Sequence, residues 1–281
     1  MRMVEPSRFL PASPAGDPAA GEARARVSLV GAGPGDPELL TLGALRRLRQ
    51  ADVIVHDHLV DARVLALADP GAERIYVGKQ AGRHSMRQAD INDLLVRQAL
   101  GGRRVVRLKG GDPYTFGRGG EEAEHLLEHG IAFEVVPGIT SAAGAAAVAG
   151  IPLTHRDHAH ACVFVAGQMR DEDEAPDWPA LVRPRQTLVV YMGLGALARL
   201  AAGLAAAGLA ADTPAAAIER ATRPAQRIVV ATLGTLHDAV RRARLASPTL
   251  LIIGDVVRLH ATLGAAAAAG GHFSTKARSK T

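Results

Sequence analysis

Val27-Ser28-Leu29-Val30-Gly31-Ala32-Gly33-Pro34-Gly35-Asp36-Pro37-Glu38 is the stretch on which the fold turns. A short buried strand runs into a tight glycine loop, and the loop runs into a helix start. Asp36 is placed as the N-cap, Pro37 at the first helical position and Glu38 in the first turn, where an acid meets the positive end of the helix. Leu39, Leu42, Leu45 and Leu48 follow at helical spacing. The alternation then continues. Further β-rich runs stand at 53–55, 74–77, 105–108 and 133–136, with helical stretches at 91–100 and 121–129. Five short strands alternating with helices predict a mostly parallel α/β sheet.

Beyond Pro137-Gly138, the small-residue stretch 142–150 leads into a second series. Its strands are expected at 162–165, 187–191, 215–218, 227–231 and 249–253, and its clearest helix at 194–207. No sequence repeat relates the two series. The chain thus reads as two α/β domains, 26–137 and 138–263, each with a roughly five-stranded sheet. A flexible extension (1–25) precedes them and a flexible basic tail (264–281) follows. Ligands of such sheets bind beyond the C-terminal strand ends, and clefts between domains are favoured pockets, so the interdomain cleft is where a site is expected.

Composition excludes several classes. With 48% apolar and 22% charged residues, the 281-residue chain is no disordered polymer. The net charge is +5, but Lys276, Arg278 and Lys280 sit in an acid-free tail, leaving only about +2 on the rest. That is too little for a nucleic-acid surface, and 3% aromatic residues argue against base stacking. Cys162 stands alone, which excludes an internal disulfide and fits a reducing, cytoplasmic setting. No run reaches the ~18 apolar residues of a membrane span. The first 25 residues mix Arg2, Arg8 and Arg24 with Glu5, Asp17 and Glu22, unlike a signal peptide.

Four motifs could carry chemistry. The loop 31–36 approaches a dinucleotide fingerprint but has Asp36 at the third glycine position, and Pro34 lacks an N–H; a structural turn is its plain alternative. The segment 108–122, Leu-Lys-Gly-Gly-Asp-Pro-Tyr-Thr-Phe-Gly-Arg-Gly-Gly-Glu-Glu, lets backbone approach a ligand that Arg118 and Glu121 could face. Equally, Arg118 and Glu121 could form an exposed ion pair of little worth. In Pro137-Gly138-Ile139-Thr140-Ser141 the hydroxyls either cap a helix or meet an anion there. In Thr154-His155-Arg156-Asp157-His158-Ala159-His160 no thiol or carboxylate set completes a metal spacing, so no metal is expected; a cationic loop around Arg156 or a solvated connection remains. Asp57 and Lys79 follow strands and can reach the sheet rim, or are ordinary surface charges.

Taken in order, 30–37, Asp57-His58-Leu59-Val60, 109–113, Phe116-Gly117-Arg118-Gly119-Gly120-Glu121-Glu122, 137–141, Thr154-His155-Arg156-Asp157 and Tyr191-Met192-Gly193 resemble the signature set of uroporphyrinogen-III C-methyltransferases, of the tetrapyrrole methylase superfamily. The resemblance covers 26–258 and is that of the monofunctional form. It implies an S-adenosylmethionine (SAM) enzyme that methylates uroporphyrinogen III twice, giving precorrin-2 via precorrin-1 for sirohaem, cobalamin or haem d1, with S-adenosylhomocysteine as co-product. It also implies a homodimer, with no nucleic-acid or membrane partner. Cofactor contacts would fall on Pro34, Gly110, Gly111, Asp112, Thr115, Thr140, Ser141, Met192 and Ala221. Asp57 and Lys79 match the proton acceptor and donor. Arg118, Glu121 and Arg156 match positions facing the tetrapyrrole, with His155, His158 and Arg83 adding counter-charge. Arg118 has also been offered as the base, but an arginine stays protonated, so a carboxylate clamp is the better role. Tyr114-Thr115 and Ala221 depart mildly from the usual pattern. The alternatives are another methylase relative, such as a precorrin-4 methyltransferase, or a dinucleotide-binding protein.

Overall fold

The computed structural model describes residues 27–78, 86–167 and 176–264. The expected extension and nearly all of the expected tail lie outside these residues. All ten expected strands form. The first sheet contains β1 (Val27–Gly31), β2 (Val53–His56), β3 (Glu73–Tyr76), β4 (Val105–Lys109) and β5 (Phe133–Val136), in the order β3-β2-β4-β1-β5 and wholly parallel. Side chains alternate in direction along a strand. Hence Leu29, Val55 and Val105 bury one face beneath α3 (Gln88–Leu100) and α4 (Gly119–Glu128). Val30, Ile54 and Leu108 bury the other face beneath α1 (Leu42–Gln50) and α2 (Ala62–Leu65). Each such fully buried aliphatic side chain contributes ~1.5–3 kcal/mol.

The helix start expected at Asp36 is shorter than the leucine spacing suggests. Asp36 does cap the turn, its Oδ1 accepting from Glu38 N at 2.9 Å, but the turn is a 3-10 helix of three residues, Pro37–Leu39. Leu40 is extended (φ −74°, ψ 134°), and Thr41 caps α1 afresh, accepting from Ala44 N at 3.1 Å. Two caps five residues apart compete with one continuous helix, and the chain uses both.

After β5 the chain crosses to the second sheet through α5 (Ser141–Ala149). The sheet contains β6 (Ala161–Ala166), β7 (Gln186–Tyr191), β8 (Pro214–Glu219), β9 (Arg227–Thr232) and β10 (Thr249–Ile253), ordered β6-β7-β10-β8-β9. Only β6 and β7 are parallel; β10 runs against both β7 and β8, and β8 against β9. The alanines of α5 pack on one face with Val189, Ile218 and Ile252. The helices α7 (Leu197–Ala206) and α8 (Leu236–Ala243) cover the other. Between β6 and β7 lies the short α6 (Trp178–Leu181), whose Trp178 ring seats against Gly203.

A charged clamp holds β5 and α1 together. Glu134 accepts from Arg47 Nε, from Arg47 Nη2 at 2.7 Å and from Ser28 Oγ at 2.7 Å. The Arg47 guanidinium, with Ser28 adding to it, holds the Glu134 carboxyl below its usual range despite partial burial. A depressed carboxylate stabilises the fold above its ordinary pKa and stops doing so as pH falls through its folded value. Glu134→Gln should therefore lose about 1 kcal/mol or less near neutrality, and wild type and variant should converge in acid, read by denaturant unfolding across pH.

Candidate active site

The order β3-β2-β4-β1-β5 places a topological switch point between β1 and β4, since one connection leaves to each side. Both glycine loops open there and are bonded to each other. Gly33 N donates to Gly111 O at 3.1 Å, Gly111 N returns a bond to Gly33 O at 2.8 Å, and Ala32 N donates to Lys109 O at 2.8 Å. The turn after β5 joins them. A Cβ on Gly31 would lie 2.5 Å from Gly138 N, and one on Gly138 would lie 2.3 Å from Gly111 O. Both contacts are with backbone, so these strand ends meet main chain to main chain.

Asp112 ties its own loop to the turn after β5. Its Oδ2 accepts from Gly138 N at 3.1 Å, and its Oδ1 accepts from Tyr114 N at 2.9 Å and Thr115 Oγ1 at 3.2 Å. Next to Gly138, the Thr140 and Tyr191 hydroxyls are 2.6 Å apart, and Tyr191 also accepts from Ala142 N at 3.1 Å, capping α5. The Tyr191 ring lies 4.8 Å from that of Phe116 and 5.8 Å from that of Phe164. Burial pushes the Tyr191 phenol up, so it stays a neutral hydrogen-bonding group.

Three further contacts bring the ends of the two sheets together. Thr222 Oγ1 accepts from Asp36 N at 3.1 Å, and Arg223 donates to Leu59 O while lying 3.7 Å from Asp61. Gly144 of α5 receives Pro34, which would sit 2.6 Å from a Cβ there. Ala221 lies between Arg220 and Thr222, both with positive φ (47° and 67°). Met192, at φ 55° and half exposed, follows Tyr191.

The charged groups form two tiers. Below the rim, Glu122 is fully buried and accepts from Lys109 Nζ at 2.9 Å to each oxygen, Arg107 Nε at 2.9 Å and Gln88 Nε2 at 3.2 Å. Desolvation holds the Lys109 ammonium below its ordinary pKa, with Arg107 adding to it and Glu122 opposing. Arg107 reaches on to Asp57, 3.5 Å from Oδ2, while Asp57 Oδ1 accepts from Leu59 N at 2.9 Å. Above them, Arg118 caps α4 in the left-handed region (φ 58°) and grips Glu121 through Nε at 2.8 Å and Nη2 at 2.6 Å. That pair is about half exposed, 49% and 44%. Phe116, two residues earlier, is also left-handed (φ 53°). Two non-glycine residues in that region cost ~1–3 kcal/mol each and mark a loop shaped for a task.

Pro34, Gly110, Gly111, Asp112, Thr115, Thr140, Ser141, Met192, Ala221, Asp57, Arg118 and Glu121 therefore gather where the two sheet ends meet. His155, Arg156 and His158 do not. The nine residues of α5 run back along the second sheet for ~14 Å and deliver their loop to the start of β6 and β7. There the Arg156 carbonyl accepts from His160 Nε2 at 3.0 Å and from Arg185, and His158 pairs with Asp255. His158 also lines a depression of about 190 Å³ with Arg183 and Arg185. Lys79 and Arg83 lie outside the described residues. The sequence motifs do not contain Arg223 and give no role to Arg107, nor to Glu122 and Tyr191, which stand inside quoted motifs. A signal existed for one of them: Arg107 sits between Val106 and Leu108 in a run otherwise read as a buried strand, so it needed a buried acid as partner.

The chain matches the family model of tetrapyrrole (corrin/porphyrin) methylases over residues 26–237. It is 46% identical to a uroporphyrin-III C-methyl transferase from Thermus thermophilus, solved with S-adenosyl homocysteine; the match covers 83% of this chain and 99% of that one, with a TM-score of 0.73. A cobalt precorrin-4 methyltransferase is similar at 30% identity and the same TM-score, over 82% and 95% of the two chains. Siroheme synthases of Methylococcus capsulatus and Nitrosospira multiformis are 58% and 56% identical over 84% and 85% of this chain. The chain spans about half the length of these relatives, 50% and 51%. The fold and its loop-built site thus define an α/β methylase. The chain belongs to the tetrapyrrole methylase family.

Proposed function

We propose that the chain is a SAM-dependent C-methyltransferase that converts uroporphyrinogen III to precorrin-2 via precorrin-1. The observation supporting this reading is the side-chain-free meeting of three loops at the switch point, flanked by fixed Asp112 and Thr140 groups, in a chain so similar to the Thermus enzyme. SAM suits such a place, because a nucleoside with an amino-acid end needs close backbone approach and a few oriented polar groups. Pro34, Gly110, Gly111, Asp112, Thr115, Thr140, Ser141, Met192 and Ala221 would hold it in a cleft between domains 26–137 and 138–263. Bound there, SAM supplies a methyl group already activated on a sulfonium.

The chain's own work is alignment, charge and proton removal. Arg118, braced by Glu121, binds substrate carboxylates in bidentate fashion. Asp57, oriented by Leu59 N, takes the proton that the ring, made cationic by the new carbon–methyl bond, must release to become neutral again, and Lys79 is the matching donor. The chain works in the cytoplasm as a homodimer; among the described residues no helix is long and apolar enough to cross a membrane. His155, Arg156 and His158, at the far end of β7, are assigned to the substrate of the partner copy.

Incubation with SAM and uroporphyrinogen III should develop the precorrin-2 chromophore. Calorimetry should show binding of SAM and not NAD, which disposes of the dinucleotide reading. Asp57→Asn should lower kcat by about 10²–10⁴-fold with SAM affinity unchanged. A variant with full turnover would remove Asp57 from the chemistry.

A further inference from the structure

At the opposite end of α4 from Arg118, the last turn carries His125-Leu126-Leu127-Glu128-His129. Histidines four apart share one helix face, and here their ring centroids are 4.4 Å apart. Among the described residues, His125, Glu128 and His129 are the group of three whose ligand atoms converge, all within 4.8 Å of one another.

Hydrogen bonds fix the tautomer of each ring. His125 Nε2 is 3.0 Å from Asp93 Oδ1 of α3. A carboxylate only accepts, so Nε2 carries the proton and Nδ1 keeps its lone pair. That Nδ1 faces Glu128 Oε2 at 3.8 Å, beyond hydrogen-bond range. It is close to the roughly 3.4 Å separating two ligands that each sit ~2.0–2.2 Å from a tetrahedral ion. His129 Nδ1 is 2.9 Å from the His125 carbonyl, which also only accepts, so His129 offers Nε2. One nitrogen of each ring and a Glu128 carboxylate oxygen lie within 4.8 Å of one another, and each ring keeps a nitrogen free to ligate. An acid on a neighbouring helix orients one ring, as carboxylates commonly do behind metal-bound histidines.

We infer that His125, Glu128 and His129 form a site for a borderline divalent cation such as Zn²⁺, with Asp93 as the positioning residue and water completing the coordination. Nitrogen and carboxylate donors in this ratio suit zinc, nickel or cobalt over magnesium or calcium. His125, the ligand nearest in sequence, stands seven residues and ~10 Å along α4 from Arg118, so the site is apart from the methyl-transfer site and does not rest on that function.

Zinc titrated calorimetrically into the full, tag-free chain should bind at one saturable equivalent and raise the melting temperature. Co²⁺ in its place should show the strong visible bands of four-coordinate geometry. His129→Ala should weaken zinc at least tenfold, and Asp93→Asn by about 10–100-fold. Both positions are exposed, and circular dichroism will show that the variants fold. His155→Ala/His158→Ala should bind zinc as wild type does. No saturable equivalent in wild type, binding that survives His129→Ala, or binding lost with the His155/His158 pair would each overturn the assignment.

Discussion

Glu122→Gln should lose about 3–5 kcal/mol of stability at neutral pH, the toll of leaving buried cations without their acid. The side chain is fully buried and receives both Lys109 and Arg107, themselves nearly buried. Glutamine keeps the shape and removes the charge, so packing is not the cause. The variant should also carry a pH signature. Lys109 already lies below its ordinary pKa in the folded chain, because burial disfavours the ammonium. In the interval between folded and unfolded values the unfolded chain binds more protons, so stability rises with pH. Removing Glu122 lowers the folded value further and widens that interval. Denaturant unfolding should therefore show Glu122→Gln recovering part of its deficit on approach to the ordinary lysine pKa of about 10.4, with wild type changing less. A loss under about 1 kcal/mol, flat with pH, would mean that water compensates these cations.

The second large effect is a rescue. Arg118→Ala and Arg156→Ala should each reduce methyl transfer to a small residue while SAM binding persists. Co-expressed, the two variants should regain about a quarter of the wild-type rate. Half of randomly paired dimers are mixed, and in each of these one site receives an intact Arg118 from one copy and an intact Arg156 from the other. The separation of the two arginines motivates this: Arg118 stands at the meeting of the sheet ends, whereas the Arg156 loop lies at the start of β7, a strand length of ~17 Å from Tyr191. Absence of recovery would put both arginines in one site of one chain and end the assignment of Arg156 to a partner copy.

Much of the first sheet was legible because its signals are local. Alternating apolar runs, glycines at strand exits and capping residues each act within a few positions. The second sheet shows where such signals stop. Its strands were legible, but the reversal of β10 between β7 and β8 depends on pairing across as many as 65 residues, which no short pattern encodes. At the site, residues in glycine loops were found because those loops announce themselves. The roles of Arg107, Glu122, Tyr191 and Arg223 were not, even where Glu122 and Tyr191 stand inside quoted motifs, since each acts on a residue distant in sequence. The distance of His155, Arg156 and His158 from the glycine loops is hidden for the same reason: adjacency to a motif along the chain does not reveal that α5 carries them to the other end of the sheet.

The backbone junction of Gly31, Gly111 and Gly138 has one more consequence. A surface made of main chain presents the same amides and carbonyls whatever the neighbouring side chains become. Mutation can block such a surface but cannot retune it. Any shift in preference among bound molecules must then be written in the side chains around it, at Tyr114, Thr115, Met192 and Ala221. The floor of the site is common property of every variant that folds, and only its furniture can change hands.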